Sequence, residues 1–155
     1  MIPSRLLRRA TLEDVPALVP LVGAFYAHFG YPYSEPAKRR LLSEVIETTS
    51  LGSLWLVLSD AGEPVGYLFL SYYFSLEFGG PTAFIDEFFV GPAHRGRGFG
   101  SQVILEVIEV AKSLGLQALQ LEVEHSNTRA ATLYERLGFV DCHRHLLTHV
   151  IDPVP

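Results

Sequence analysis

Cysteine is nearly absent from this 155-residue chain, where Cys142 stands alone. That excludes an internal disulfide framework and any cysteine-rich zinc site, and agrees with a reducing compartment. Positive charge is also short. Lys and Arg number 12 against 17 Asp and Glu, a formal net charge of −5, so the chain lacks the basic surplus with which a general nucleic-acid binder neutralises phosphates. Long apolar runs are missing too. Between Met1 and Leu18 the charges of Arg5, Arg8, Arg9, Glu13 and Asp14 interrupt any signal-peptide core, and no later segment reaches membrane-spanning length. The expectation is a cytoplasmic protein with no nucleic-acid partner and no membrane partner. His143, His145 and His149 lie close together near the end, but no carboxylate or cysteine at a matching spacing completes a ligand set, so no metal is expected. Repeats and low-complexity stretches are also lacking.

What the chain does have is apolar content, 48% of its residues, enough to bury one ordinary core in a single domain over residues 1–155. Ser4 to Ala10 reads as a short strand, Thr11-Leu12-Glu13-Asp14 as a helix start, and the helix runs to about Phe29. After a Tyr- and Pro-rich loop, Tyr31 to Pro36, a second helix is expected from about Ala37 to Thr49. Leu54 to Leu58 and Val65 to Tyr73 flank the turn Asp60-Ala61-Gly62-Glu63 and read as an antiparallel hairpin. Ala83 to Val90 is the next strand. A helix follows that places Val103, Ile104, Val107, Ile108 and Ala111 on one face before Gly115 stops it. Leu119, Leu121 and Val123 then alternate with Gln120, Glu122 and Glu124 as a strand, Thr128 to Leu137 forms a short helix ended by Gly138, and two terminal strands are expected to close the chain.

The chemistry concentrates where the strand Phe88-Phe89-Val90 breaks into Gly91-Pro92-Ala93-His94-Arg95-Gly96-Arg97-Gly98-Phe99-Gly100-Ser101 and a helix begins. Gly96, Gly98 and Gly100 let a backbone approach an anion closely, the helix start offers unpaired N–H groups, and Arg95 and Arg97 add charge. A Rossmann fingerprint would need glycine where Ser101 stands, a P-loop would need a lysine before that serine, and a purely structural turn is the remaining alternative. Read as Arg-x-x-Gly-x-Gly, the segment resembles the pyrophosphate-binding signature of the GNAT superfamily of acetyl-coenzyme A-dependent N-acetyltransferases. Asn127-Thr128-Arg129-Ala130-Ala131-Thr132-Leu133-Tyr134-Glu135-Arg136-Leu137-Gly138-Phe139 is similar to the second signature of that family, and the element order matches along essentially the whole chain.

The resemblance implies an α/β (α+β) fold built on one mixed, mostly antiparallel, splayed sheet with helices on both faces. It implies acetyl-CoA as cosubstrate, with no metal, held by Phe88, Phe89 and Val90 through strand-like main-chain bonds to pantetheine, by Arg95, Gly96, Arg97, Gly98, Phe99, Gly100 and Ser101 at the pyrophosphate, and by Asn127, Arg129 and Ala130. Asn127 serves equally well as a helix cap. Tyr134 matches the family residue that acts on the leaving sulfur; otherwise it is a packing aromatic. A homodimer through terminal strands and long helices is a further implication.

The acceptor amine must lose a proton before it attacks, at about 4–5 kcal/mol at pH 7 for a lysine-like group. Asp86 and Glu87 precede Phe88, and strict alternation puts only Asp86 on the face of Phe88, although a bulge reverses that parity. Ile85-Asp86-Glu87-Phe88-Phe89-Val90 resembles Leu-Glu-Asp-Phe-Phe-Val of polyamine acetyltransferases, whose first acidic residue meets the amine, and this favours Asp86 as the base, directly or through water. Tyr26, His28 and Tyr31, in the stretch with Phe29, Tyr33 and Glu35, and Glu122 one strand over, form a candidate acidic and aromatic surface for a small amine such as a polyamine. A protein or peptide amine as acceptor, and a non-catalytic acyl-CoA-binding module, are the alternatives.

Overall fold

The computed structural model of the chain describes residues 5–153. It divides into two compact units, Met1–Glu122 and Val123–Pro155. In the first, strand β1 (Leu7–Arg9) leads through a 3₁₀ turn to helix α1 (Val15–Phe29), α2 (Glu35–Glu47), β2 (Gly52–Leu58), β3 (Pro64–Ser75), β4 (Gly80–Val90), α3 (Phe99–Ser113) and β5 (Ala118–Leu121). The second unit contains one helix, α4 (Thr128–Arg136), among its described residues.

Local chemistry accounts for the boundaries. The Asp14 carboxylate accepts the Thr11 backbone N–H at 2.8 Å and so turns the chain into α1. Pro16 falls in the first turn of α1, where its missing N–H has no partner to lose. Gly30 ends the helix at φ 67°, a left-handed conformation that glycine adopts without strain. Strands β2 and β3 run longer than alternation alone marks, because their outer residues complete a hairpin ladder from Gly52↔Ser71 to Leu58↔Pro64.

The sheet follows chain order, β1-β2-β3-β4-β5. Its first three pairings are antiparallel, and β5 joins β4 in parallel. That parallel pairing requires a crossover, which α3 supplies. On one face Leu54, Leu56, Tyr67 and Phe89 form a buried cluster with Leu18, Val22 and Phe25 of α1 and Leu42 of α2. Leu68 and Leu70, adjacent to Tyr67 on β3, are also fully buried, so alternation gives the sheet a second covered face. The inward stripe of α3, Val103, Ile104, Val107 and Ala111, is buried as the 3.6-residue period requires. The α/β fold with a mixed, mostly antiparallel sheet is therefore present. No helix among the described residues is long and apolar enough to cross a membrane.

Expectations change at the two ends of the chain, and the strand expected to run on to Glu124 ends at Leu121. Ser4, the start of the expected first strand, lies outside the described residues, and the strand begins at Leu7. The two terminal strands do not form. Residues 137–153 contain no strand, and Val140, Leu147 and Ile151 are more than four-fifths exposed. A strand is stable only against a partner, and the described residues of the second unit offer no other strand for these apolar residues to pair with.

Candidate active site

The register between β3 and β4 slips at one place. Phe69 pairs with Glu87 but Leu70 pairs with Ile85, so Asp86 is an extra residue in β4. This is a β-bulge, and it overturns strict alternation. Ile85 and Phe88, three residues apart, both share the face of Leu68 and Leu70, while Glu87 shares the face of Tyr67 and Phe89. Asp86 is not on the face of Phe88. With Glu87 it lines a cavity of about 230 Å³ whose other walls come from α1, α2, β2 and β3.

Two tyrosine hydroxyls fix one of these carboxylates. Tyr26 on α1 donates to Glu87 Oε1 at 2.5 Å, and the fully buried Tyr67 on β3 donates to Oε2 at 2.7 Å. A buried phenol needs such an acceptor. Burial first, and then the adjacent Glu87, push both phenols well above their ordinary value of 10, so they remain neutral donors. Asp86 behaves differently. Desolvation raises its carboxyl above the ordinary 3.8, and the charge of Lys38 pulls in the opposite direction. Lys38, on α2, holds its Nζ 3.9 Å from the centre of the Tyr26 ring.

Beyond Ile85↔Leu121 the pairing of β4 with β5 ends. On that side Asp86 to Val90 pair with no strand among the described residues, an edge able to take up an extended chain by main-chain hydrogen bonds. The edge runs straight into the glycine turn. Gly96, Arg97 and Gly98 have φ of 84°, 52° and 76°, and a Cβ built on Gly96, Gly98 or Gly100 meets nothing within 4 Å. The turn has open space around its glycines and leads into the first turn of the 15-residue α3, where Phe99 N–H donates to the Gly96 carbonyl at 3.1 Å and the N–H groups of Gly100 and Ser101 have no carbonyl within the helix one turn back. It has the donors, the room and the helix end that an anionic phosphate requires. Arg95 contributes differently from Arg97. Its Nε donates to the Val90 carbonyl at 2.7 Å and its guanidinium lies 5.3 Å from the Phe89 ring, so this side chain ties the turn to β4.

In the second unit Asn127 Oδ1 accepts the Ala130 N–H at 3.2 Å, a helix N-cap that leaves its amide NH₂ available. Tyr134 packs edge-on against Phe139, ring centroids 5.6 Å apart, and burial raises its phenol above 10. Arg129 is exposed and Ala130 half-buried.

Of the residues singled out for the acceptor, Tyr26 lines the cavity. Tyr31 packs edge-on to Tyr26 and stacks on Phe29. His28 is exposed with its ring against Phe29, and Glu122, one residue past β5, is exposed and outside the cavity lining. Sequence reasoning missed Tyr67 and Lys38. Tyr67 carried a signal, a tyrosine in an otherwise apolar run whose hydroxyl must find a polar partner. Lys38 carried none, since a lysine in the first turns of a helix reads as solvated. Among the described residues no cluster of three or more His, Cys, Asp or Glu is placed to hold a metal.

Comparison with known proteins identifies the family. A thialysine N-ε-acetyltransferase of Bos taurus is 39% identical over 89 residues, 55% of this chain and 52% of the relative. The chain thus spans about half the length of the first curated relatives it matches. An uncharacterised N-acetyltransferase of Escherichia coli (strain K12) is 28% identical over 143 residues, 88% of this chain and 82% of the relative. The crystal structure of an integron cassette protein from the mobile metagenome of Cole Harbour Salt Marsh superposes with a TM-score of 0.84 at 34% identity, covering 96% of this chain and 92% of that one. Residues 19–139 match the acetyltransferase (GNAT) family, and the chain belongs to that family.

Proposed function

We propose that this protein transfers the acetyl group of acetyl-CoA to a small primary amine by direct attack. The observation that carries the reading is the continuity of β4: one strand holds two cavity-lining carboxylates at its bulge, then an open edge, and then the open glycine turn. Acetyl-CoA supplies an acyl carbon activated as a thioester. The N–H groups of Gly98, Gly100 and Ser101 and the charge of Arg97 hold its pyrophosphate, the edge of Phe88, Phe89 and Val90 aligns its pantetheine, and Asn127, Arg129 and Ala130 are further cosubstrate-binding residues by resemblance to the family.

Asp86 takes the proton from the acceptor ammonium, directly or through one water. Its raised pKa suits that task, because a base closer in pKa to the amine recovers more of the deprotonation cost. Asp86 has no register partner in β3, and a backbone N–H that the bulge leaves out of the ladder stabilises the oxyanion that develops on the acyl oxygen. As the C–N bond forms and the C–S bond breaks, Tyr134 donates a hydrogen bond to the departing sulfur. A phenol is a weaker acid than a thiol by about 1.5 pKa units, and burial raises Tyr134 further, so its role is hydrogen bonding and the thiolate receives its proton from the attacking amine. The relative named a thialysine N-ε-acetyltransferase and the strand likeness to polyamine acetyltransferases both support a flexible aliphatic amine as acceptor.

Steady-state kinetics on two variants test the assignment. Asp86→Asn is expected to lower kcat/KM for the amine about 100-fold, and Tyr134→Phe to lower kcat about 10- to 100-fold with little change in the dissociation constant for acetyl-CoA. Unchanged turnover in both variants would contradict these roles.

A further inference from the structure

The cavity beside the bulge is acidic and aromatic on one side only. Glu87 has both carboxylate oxygens engaged by the neutral hydroxyls of Tyr26 and Tyr67, and Asp86 lies next to it. Facing them from α2 is Lys38, half-buried, with its ammonium resting on the Tyr26 ring. No carboxylate oxygen among the described residues lies within 4.0 Å of Lys38 Nζ, so the ammonium is not committed to an ion pair. The neighbouring cations of α2 are committed elsewhere: Arg39 pairs with Glu35 and Arg40 with Glu44.

A cation in the wall of an amine site has a consequence for the acceptor. The reacting amine is neutral when it attacks, so the charges that must match the cavity are those on the rest of the acceptor. A diamine or polyamine brings a further ammonium into a space of about 230 Å³ that already holds Lys38, and like charges at close range in a partly desolvated cavity repel. An acceptor that also carries a carboxylate reverses the sign of that contact. It can place the carboxylate on Lys38 and its remaining cation near Asp86 and Glu87. The cavity lies below the ~300–1,000 Å³ usual for drug-sized ligands, a size that suits an amino acid.

We infer that Lys38 is a specificity-determining residue that binds a carboxylate of the acceptor, so that the protein acetylates amines of amino-acid type in preference to diamines and polyamines. This rests on the acetyltransferase reading above. The alternating wall Asp86, Glu87, Tyr26, Lys38 is matched to a zwitterion, and the ammonium on the Tyr26 ring is in a position from which it swings to an incoming carboxylate without breaking an ion pair.

Lysine and cadaverine differ only by the carboxylate, which makes them the diagnostic pair. CoA release is measured with each, for the wild type, Lys38→Met and Lys38→Arg, and the binding of each amine in the presence of CoA is measured by calorimetry. The wild type is expected to favour lysine in kcat/KM. Lys38→Met is expected to reduce the lysine-to-cadaverine ratio at least tenfold, as loss of a charge-assisted hydrogen bond implies, mainly through KM for lysine and with a gain for cadaverine. Lys38→Arg keeps the preference. A wild type that prefers cadaverine, or a ratio that Lys38→Met leaves unchanged, overturns the inference while the transferase reading stands. A raised KM for acetyl-CoA in Lys38→Met at constant ratio also overturns it, assigning Lys38 to the cosubstrate. Neither release nor binding with either amine contradicts both readings.

Discussion

Lys38 and Asp86 are coupled through charge, and that coupling is measurable apart from any preference between acceptors. The Asp86 carboxyl is raised by desolvation and held back by Lys38. If Asp86 is the base, the acidic limb of kcat/KM reports its titration, with activity falling as pH drops through its pKa. Removing the positive charge in Lys38→Met lets the pKa rise further, so the acidic limb is expected to move to higher pH. A limb that stays in place would separate the base from Lys38. Tyr26 and Tyr67 act on Glu87 instead, and they give two adjacent carboxylates different surroundings. Glu87 is held by two neutral donors at 2.5 and 2.7 Å, whereas Asp86 is an unpaired residue of a bulge. Nothing in the residue order Asp86-Glu87 announces this. A bulge is a property of two strands in register, and alternation along one strand reads the wrong face at the position that matters most.

The elements were more legible than their pairing. Glycine at 96, 98 and 100 after an apolar strand marked a strand-turn-helix, and the structure has one with open space above each glycine. Gly98 sits at φ 76°, where a Cβ costs about 1–2 kcal/mol in backbone strain. Gly98→Ala is therefore expected to weaken acetyl-CoA binding about tenfold, with a smaller effect on the KM for the amine; equal effects on both would place the turn outside the cosubstrate site. The start of α1 was also legible, from Thr11 and Asp14, and here an ion pair adds to the cap. Arg8 grips Asp14 with two hydrogen bonds of 2.9 and 2.7 Å. That contact, together with the Thr11 donors, lowers the Asp14 carboxyl from 3.8 to about 2. A carboxyl depressed in the folded state stabilises the fold fully above the unfolded value and loses that contribution as pH falls through the folded one. Asp14→Asn is expected to cost about 1–2 kcal/mol near neutral pH, with the gap to the wild type closing between about pH 4 and pH 2 in urea titrations. The last two expected strands failed for a reason no local pattern contains, since apolar spacing at residues 140–151 specifies a face but not the neighbour that would cover it.

For the whole molecule, order is concentrated in the first unit. Strands β2, β3 and β4 share two long antiparallel ladders and bury Leu56, Tyr67, Leu68 and Leu70 completely, so their amides are expected to exchange with solvent only through global unfolding. Residues 140–151, without a ladder, are expected to exchange orders of magnitude faster, which hydrogen-exchange mass spectrometry resolves directly. Protection of that segment in the free protein to the level of β3 would contradict this picture. Addition of acetyl-CoA is expected to slow exchange at the turn from Arg95 to Ser101. Acetyl transfer draws on residue, element and whole molecule together, and thiol release from acetyl-CoA reads it out. The purified protein is expected to release CoA only when an amine is present, one thiol for each acetylated amine detected by mass spectrometry. Tight binding of CoA with no amine-dependent release, across amino acids, diamines, polyamines and lysine peptides, would contradict the account.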